Sequence, residues 1–364
     1  MARRERDALR QSPFRMERLR RRLLKWYDQN KRDLPWRESR DPYAIWVSEI
    51  MLQQTRVAVV VERYQAFLKR FPSLISLALA REDEVLALWS GLGYYRRARM
   101  LQKAAQYVAQ NYHGSLPLKS AELRELPGIG EYTAAAIASI AYGERVAVVD
   151  GNVERVLYRL AGWDENAKMR RKVGDLASLM VDAARPGDSN QAVMELGALV
   201  CTPRAPKCGE CPLSRECATR GEHKTQKRAP MKSVEIAHAL SVRTSASKNG
   251  RREVLLEQRP ATVSVMPEMW ELPQLNVAEV PPSELRMTVR HAIMQINYYV
   301  RIRTVFEDDV AKLTVEHGKR RWVALNQAAE MALTGLARKV LRRARLLPAA
   351  PAGAIATPPD AELA

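Results

Sequence analysis

All four cysteines of this 364-residue chain fall within one short stretch, CTPRAPKCGECPLSREC, as Cys201, Cys208, Cys211 and Cys217. A disulfide framework would spread its cysteines along the chain, whereas a tight local set reads as a metal-ligand cluster. The spacing C-x6-C-x2-C-x5-C lets four thiolates meet at one centre, either a tetrahedral zinc or a cubane iron–sulfur cluster. Zinc ribbons usually show two tight C-x2-C pairs and only one is present, so ligand chemistry alone leaves both metals open. The segment is too polar and proline-rich for unliganded core cysteines. Arg204 and Lys207 lie between the first two ligands, and Arg215 follows the third. A metal-pinned loop carrying cations is suited to gripping a phosphate backbone.

The charge balance points the same way. With 59 Lys and Arg against 41 Asp and Glu, the formal net charge is +18, a field that draws in and retains polyanions. Nucleic acid is therefore the expected partner. Apolar content of 46% and charged content of 27% are ordinary for globular protein. No apolar run approaches the roughly 20 residues that span a bilayer, so no membrane partner is expected. The start, MARRERDALRQSPFR, lacks the apolar stretch of a secretory signal, and Glu5 and Asp7 argue against a transit peptide. The expected location is cytoplasmic, associated with the nucleoid.

The length suits two domains, each able to bury a core. Helical spacing is predicted over 14–27, from Pro42 behind an Asp41 cap, and over 56–71, 82–90, 96–112, 120–126, 132–142, 153–160, 170–184 and 190–200. Strand signals are nearly absent before Cys201. Beyond it, strands are predicted at 236–242, 253–258, 293–305 and 321–323, with the hairpin dipeptide Asn249-Gly250 between the first two and a helix at 336–346. The chain thus divides into a basic arm expected to be disordered (1–13), a mostly helical domain (14–220), a polar linker (221–235), a smaller α+β domain (236–347) and a low-complexity tail expected to be disordered (348–364).

Three features carry candidate chemistry. In LPGIGEYTAAA, Gly128 and Gly130 permit a tight turn into a helix whose first N–H groups and positive dipole end suit a phosphate; a purely structural helix–helix turn fits the same residues. Glu49 lies in the apolar helix DPYAIWVSEIMLQQT with Ile45, Trp46 and Leu52 on its own face. Burial there favours the protonated acid, as a general acid near neutral pH requires. Asp150 ends the apolar run RVAVV ahead of a helix, in a capping position that keeps a carboxylate ionised and oriented. One protonated and one ionised carboxylate is the logic of glycosidic-bond cleavage.

The set LPWRESRDPYAIWVSEIMLQQTRV, GLGYYRRAR, LPGIGEYTAAAI, VVDGNVERV and the cysteine spacing resembles the helix-hairpin-helix DNA glycosylases, and among them the MutY-type adenine DNA glycosylases. The likeness is dense over residues 15–220. A looser one, to the Nudix-like C-terminal domain of that family, covers about 235–345. The resemblance implies a mostly α helix-hairpin-helix glycosylase domain with an iron–sulfur loop, followed by a smaller α+β Nudix-like domain. It implies a 4Fe–4S cluster on the four cysteines and a monomeric, monofunctional enzyme acting on double-stranded DNA that contains a mispair, with a replication clamp as a further partner. Adenine opposite 8-oxoguanine or guanine would be flipped out and cut from its sugar. Glu49 would protonate the base, Asp150 would stabilise the sugar cation, and Tyr132 and Asn152 would line the reaction centre. Gln54 and Tyr94 would wedge into the duplex, and Arg37 would line the pocket.

Tyr132 stands where the endonuclease III branch carries a lysine. A lysine amine attacks the sugar, forms a Schiff base and nicks the strand; tyrosine has no amine, so base removal without strand cleavage is expected. Thymine–guanine mismatch glycosylases share the tyrosine, which makes a thymine or uracil mismatch glycosylase the alternative. The chain departs from the family where a Phe-Ser-His loop reads 8-oxoguanine: the aligned residues are Ile293, Met294 and Gln295, and methionine cannot donate the serine hydrogen bond. The glutamate cluster of a Nudix hydrolase is missing after Pro273, so the second domain is expected to bind, not hydrolyse.

Overall fold

The computed structural model of the chain describes residues 13–164, 167–221, 230–245, 250–293, 295–313 and 319–348. The expected arm apart from Pro13, most of the expected linker, all but Pro348 of the tail, and Asn249 and Met294 fall outside them. The helices are α1 (Pro13–Asn30), α2 (Pro42–Leu52), α3 (Val57–Arg70), α4 (Leu74–Ala78), α5 (Glu82–Leu88), α6 (Arg96–Asn111), α7 (Ser120–Leu123), α8 (Glu131–Ala141), α9 (Gly151–Ala161), α10 (Ala167–Met180), α11 (Pro186–Leu199), α12 (Leu325–Glu330) and α13 (Gly335–Arg343). The strands are β1 (Lys232–Leu240), β2 (Val242–Ser245), β3 (Arg251–Gln258), β4 (Trp270–Glu271), β5 (Gln274–Leu275), β6 (Leu285–Ile293), β7 (Ile296–Thr304) and β8 (Arg320–Ala324). They form two compact units that alternate along the chain: residues 1–53, 71–78 and 103–227 in one, and 54–70, 79–102 and 228–364 in the other.

The first unit is helical. Met16, Leu19, Leu23 and Tyr27 recur down one stripe of α1 and pack with α9, α10, α11 and Leu213 into a single apolar core. Cys201, Cys211 and Cys217 lie against the same core, so the N-terminal helix and the cysteine loop are joined by packing. Helix α2 starts as expected, with the Asp41 carboxylate accepting from the Tyr43 N–H and Pro42 in the first turn. Its burial is broader than a single inward face, because every residue from Tyr43 to Met51 is buried; Leu52 at its end is only half-buried. Helix α9 ends in a Schellman motif: Gly162 sits at φ +66°, its N–H bonds the Arg159 carbonyl and the Trp163 N–H bonds that of Tyr158.

In the second unit, Phe67 of α3 packs edge-on against Trp89 at 6.0 Å. Its strands form two sheets. One has the order β5-β1-β7-β6, with β1 and β7 parallel and the other pairs antiparallel. In the other, β3 pairs antiparallel with β2, β4 and β8. Val289, Val300 and Ile302 from the first sheet, Val254, Leu256 and Val323 from the second, and Leu336, Val340 and Leu341 of α13 share one core. The fold is mostly helical with a smaller α+β part, as expected. One strand expectation is corrected: 293–305 is not continuous. Ile293 ends β6 and pairs with Ile296, which opens β7. Strand β6 escaped notice because only Val289 along it is buried, so LRMTVRHAI shows little apolar alternation. Helices α4 and α12 are too short for a helical period to register.

Candidate active site

Within the helical unit, α2, α8 and α9 bring the two carboxylates and the tyrosine together. Glu49 is 5% exposed in the buried helix α2, and the Tyr132 hydroxyl, from the first turn of α8, donates to its Oε2 at 2.7 Å. Burial raises the Glu49 carboxyl from 4.5 to about 7; the Tyr132 hydrogen bond opposes that rise, the charge of Asp150 adds to it and that of Arg37 opposes it. The Tyr132 phenol is pushed well above its ordinary 10.0, by burial first and then by Glu49 and Asp150. It therefore stays protonated and remains a donor.

Asp150 caps α9. Its Oδ1 accepts from the Val153 N–H at 2.7 Å, and its Oδ2 accepts from the Asn152 amide at 3.0 Å. Capping and orientation are thus one arrangement, since helix N–H groups hold the carboxylate in a fixed direction. Asn152 is held in turn: Arg155 donates to its Oδ1 at 2.7 Å, to the Gly197 carbonyl at 2.7 Å and to the Cys201 carbonyl at 2.8 Å. Gly197 leaves the necessary room, because a Cβ there would stand 2.7 Å from the Asn152 Cβ.

Arg37, expected in the pocket, has a side chain 12% exposed. Its guanidinium donates to both carboxylate oxygens of Glu195 at 3.1 and 2.9 Å, as does Arg32 at 2.8 and 2.7 Å. The buried Arg37 Nε has no hydrogen-bond partner among the described residues. Burial works to raise the Glu195 carboxyl, but the hydrogen bonds from Arg32 and Arg37 prevail and hold it at about 2. Glu195 is the residue that sequence reasoning missed. The available signal was a glutamate on the apolar side of QAVMELGALV, one turn on from Ala192 and next to Leu196, both fully buried.

Gly128 sits at φ +75°, a conformation that favours glycine. Gly130 has an ordinary φ of −87° and precedes α8 with no side-chain cap. A Cβ on Gly130 would meet nothing within 4 Å, so the approach to the first N–H groups of α8 is open. In the other unit, the two wedge candidates share an uncommon feature. Gln54 (φ +57°) and Tyr94 (φ +47°) are both non-glycine residues in the left-handed region. Tyr94 is 46% exposed, so it is not plain core. Arg97 ties their two turns together by donating to the Thr55 hydroxyl and to the Leu92 and Gly93 carbonyls; its guanidinium lies 5.6 Å from the centre of the Tyr94 ring. Ile293 is half-buried and Gln295 exposed, and the Gln295 carbonyl accepts from the Lys232 N–H.

The four cysteines are all half-buried and line one cavity. Burial first, and then the charges of the other three cysteines, raise the Cys211 thiol to about 11 against a backbone hydrogen bond at Leu213 that lowers it. Four thiolates so placed repel one another, and a cationic centre is what lets them coexist. Arg159 closes one side, donating to the Thr202 and Pro203 carbonyls and approaching the Cys201 sulfur at 3.4 Å. Arg204 and Lys207 both point into solvent from the loop, with Lys207 3.8 Å from Glu210.

Hairpin, paired carboxylates and thiolate loop are the parts of the helix-hairpin-helix class of DNA repair proteins. Residues 47–178 match the HhH-GPD superfamily base excision DNA repair protein profile, and residues 201–217 match the iron–sulfur binding domain of endonuclease III. Human adenine DNA glycosylase is 50% identical over 210 residues, covering 54% of this chain and 38% of that protein. The Arabidopsis thaliana adenine DNA glycosylase is 37% identical over 332 residues, covering 80% of this chain and 51% of that protein. A solved thermostable thymine-DNA glycosylase superposes with a TM-score of 0.53 at 30% identity, covering 56% of this chain and 96% of that one. Residues 47–178 belong to the HhH-GPD superfamily, and the match over residues 201–217, the stretch that holds all four cysteines, makes an iron–sulfur cluster and not zinc the cofactor. These alignments span about half or less of the curated relatives' own length.

Proposed function

We propose that the chain is a monofunctional DNA glycosylase that removes adenine mispaired with 8-oxoguanine or guanine. The observation that carries this reading is a buried Glu49 held near 7, in electrostatic contact with a carboxylate, Asp150, that helix N–H and amide donors fix in place. Glu49 in its protonated form gives its proton to a ring nitrogen of the flipped adenine, which turns the base into a neutral leaving group. As the glycosidic bond breaks, Asp150 opposes the positive charge on the sugar, and water completes the hydrolysis. Asn152 orients Asp150. Tyr132 orients Glu49 and supplies no amine, so the strand is left intact. The DNA backbone rests on the hairpin at Gly128 and Gly130 and on Arg204 and Lys207, while Gln54 and Tyr94 enter the duplex. The cluster on the four cysteines cross-links the loop that presents those cations.

The human and Arabidopsis relatives, both adenine DNA glycosylases, support adenine as the base. The second reading is removal of thymine or uracil opposite guanine, favoured by the likeness to a thymine-DNA glycosylase. With Ile293 and Gln295 flanking residue 294 in place of an 8-oxoguanine-reading loop, preference for 8-oxoguanine over guanine is weaker than in that family. A panel of duplexes carrying 8-oxoguanine:A, G:A, G:T or G:U, each with and without alkali, tests all of this. Adenine release with strand breaks only after alkali is the expected result. Release of thymine without adenine selects the second reading.

A further inference from the structure

The N-terminal helix holds the last cluster ligand by a route that the cysteine spacing does not reveal. Glu216, the residue before Cys217, has a side chain only 8% exposed. Its carboxylate accepts from Arg22 at 2.7 and 2.9 Å and from Arg18 at 3.1 Å. Arg15 donates to its backbone carbonyl at 2.8 Å. The three arginines stand at helical spacing on α1, beside the stripe of Met16, Leu19 and Leu23 that packs on the shared core. From the opposite side, the Ala218 and Thr219 N–H groups bond the Leu160 and Arg159 carbonyls at the end of α9. Cys217 is thus fixed between two helices that lie far apart from each other in sequence.

We propose that Arg15, Arg18 and Arg22 form a latch on Glu216 that sets how long the iron–sulfur cluster is retained, with Cys217 the ligand freed when the latch opens. The proposal rests on the reading of the four cysteines as cluster ligands. Cys201 and Cys211 pack against the same core, but the hydrogen bonds that brace the loop they share with Cys208, from Arg159 and from the Lys207 N–H to the Val200 carbonyl, do not come from α1. Cys217 depends on both helices. Removing the Glu216 charge leaves the two guanidinium groups with a neutral amide oxygen in place of a carboxylate and loosens the segment on the α1 side only.

The test is chelator-driven iron release from the full-length, cluster-loaded protein. It is followed anaerobically as loss of the cluster absorbance and as coloured chelate formed, in wild type, Glu216→Gln and Arg20→Ala, with sodium chloride raised from low to high concentration. Arg20 serves as the control because it docks α1 through the Leu179 carbonyl, away from Glu216. Glu216→Gln is expected to release iron at least about tenfold faster than wild type, equivalent to ~1.4 kcal/mol in the barrier, and Arg20→Ala at the wild-type rate. Salt should quicken release from wild type more than from Glu216→Gln, because only the former has the Glu216 ion pairs to screen; a merely structural role for Glu216 would not produce this difference. Equal rates for wild type and Glu216→Gln, or equal acceleration by both variants, overturn the latch. Wild-type protein purified with neither iron nor sulfide would overturn the cluster reading, and the latch with it.

Discussion

Replacing Glu49 by glutamine should abolish base release and, at alkaline pH, make the protein more stable. The sign follows from linkage. The Glu49 carboxyl titrates at an ordinary 4.5 when unfolded and at about 7 in the folded chain. Between those values the folded state keeps a proton that the unfolded state has lost, so stability falls as pH rises through the window. Below 4.5 both states are protonated and nothing is lost. Roughly 2.5 pH decades at about 1.4 kcal/mol each set the cost at pH 8 at no more than about 3.5 kcal/mol. Glutamine fills the same space uncharged and still accepts from Tyr132, so it escapes most of that cost. At about 2–4 °C per kcal/mol for a domain of this size, Glu49→Gln should melt up to roughly 7–14 °C above wild type at pH 8 and nearly with it at pH 4.5. Thermal melts at both pH values, beside base release and binding on an 8-oxoguanine:A duplex, check the claim. In wild type, base release should decline as pH rises through about 7. A variant that still releases adenine, or that gains no stability at pH 8 relative to pH 4.5, would refute the assignment of Glu49 as a buried acid.

Gly197→Ala drives a Cβ to 2.7 Å from the Asn152 Cβ and 3.1 Å from its carbonyl oxygen. It should cost about 1–3 kcal/mol and lower the rate of base release in single-turnover assays at least about tenfold, by displacing Asn152 and the Asp150 it orients. Gly187→Ala meets the Ile140 backbone at 2.8 Å; it should destabilise by a similar ~1–3 kcal/mol while folded protein keeps its single-turnover rate, which makes it the control. Glu195→Ala strands two arginines and should cost about 3–5 kcal/mol in denaturant titrations. In wild type the stability due to Glu195 is present above its ordinary 4.5 and is lost as pH falls from there toward 2. Arg97→Ala unties the turns bearing Gln54 and Tyr94 and should weaken duplex binding about tenfold with the melting temperature of the apo protein lowered only modestly, measured by fluorescence anisotropy and by melts.

How much of this was legible in the sequence depended on the range of the interaction. Asp41 and Pro42, the Gly128 turn and the Asp150 cap act over two or three residues, and all three stand where the sequence placed them. The cysteine spacing gave the loop but left the metal open, because zinc and iron accept the same thiolates; the family match, not the spacing, decided it. Glu195 was out of reach. Its partners, Arg32 and Arg37, lie 163 and 158 residues away, and a lone glutamate in an apolar helix reads equally as a residue at the helix edge. Strand β6 failed for the opposite reason: most of its side chains stay exposed, so the alternation that marks a half-buried strand never appears.

Tyr132 shows why a local reading is incomplete. Seen in sequence, it is the absence of a lysine, and the inference ends at an intact strand. In the fold its hydroxyl donates to Glu49 and thereby limits a rise that burial and Asp150 would carry further. A carboxyl left to burial alone would be a weaker acid and a slower proton donor; one ionised at neutral pH would have no proton to give. A lysine at residue 132 would place a cation against Glu49 and hold it ionised, as well as offering an amine to the sugar. In the proposed mechanism, then, the residue that withholds a nucleophile also tunes the acid, and a lysine in its place would oppose base protonation through the electrostatics of one carboxyl.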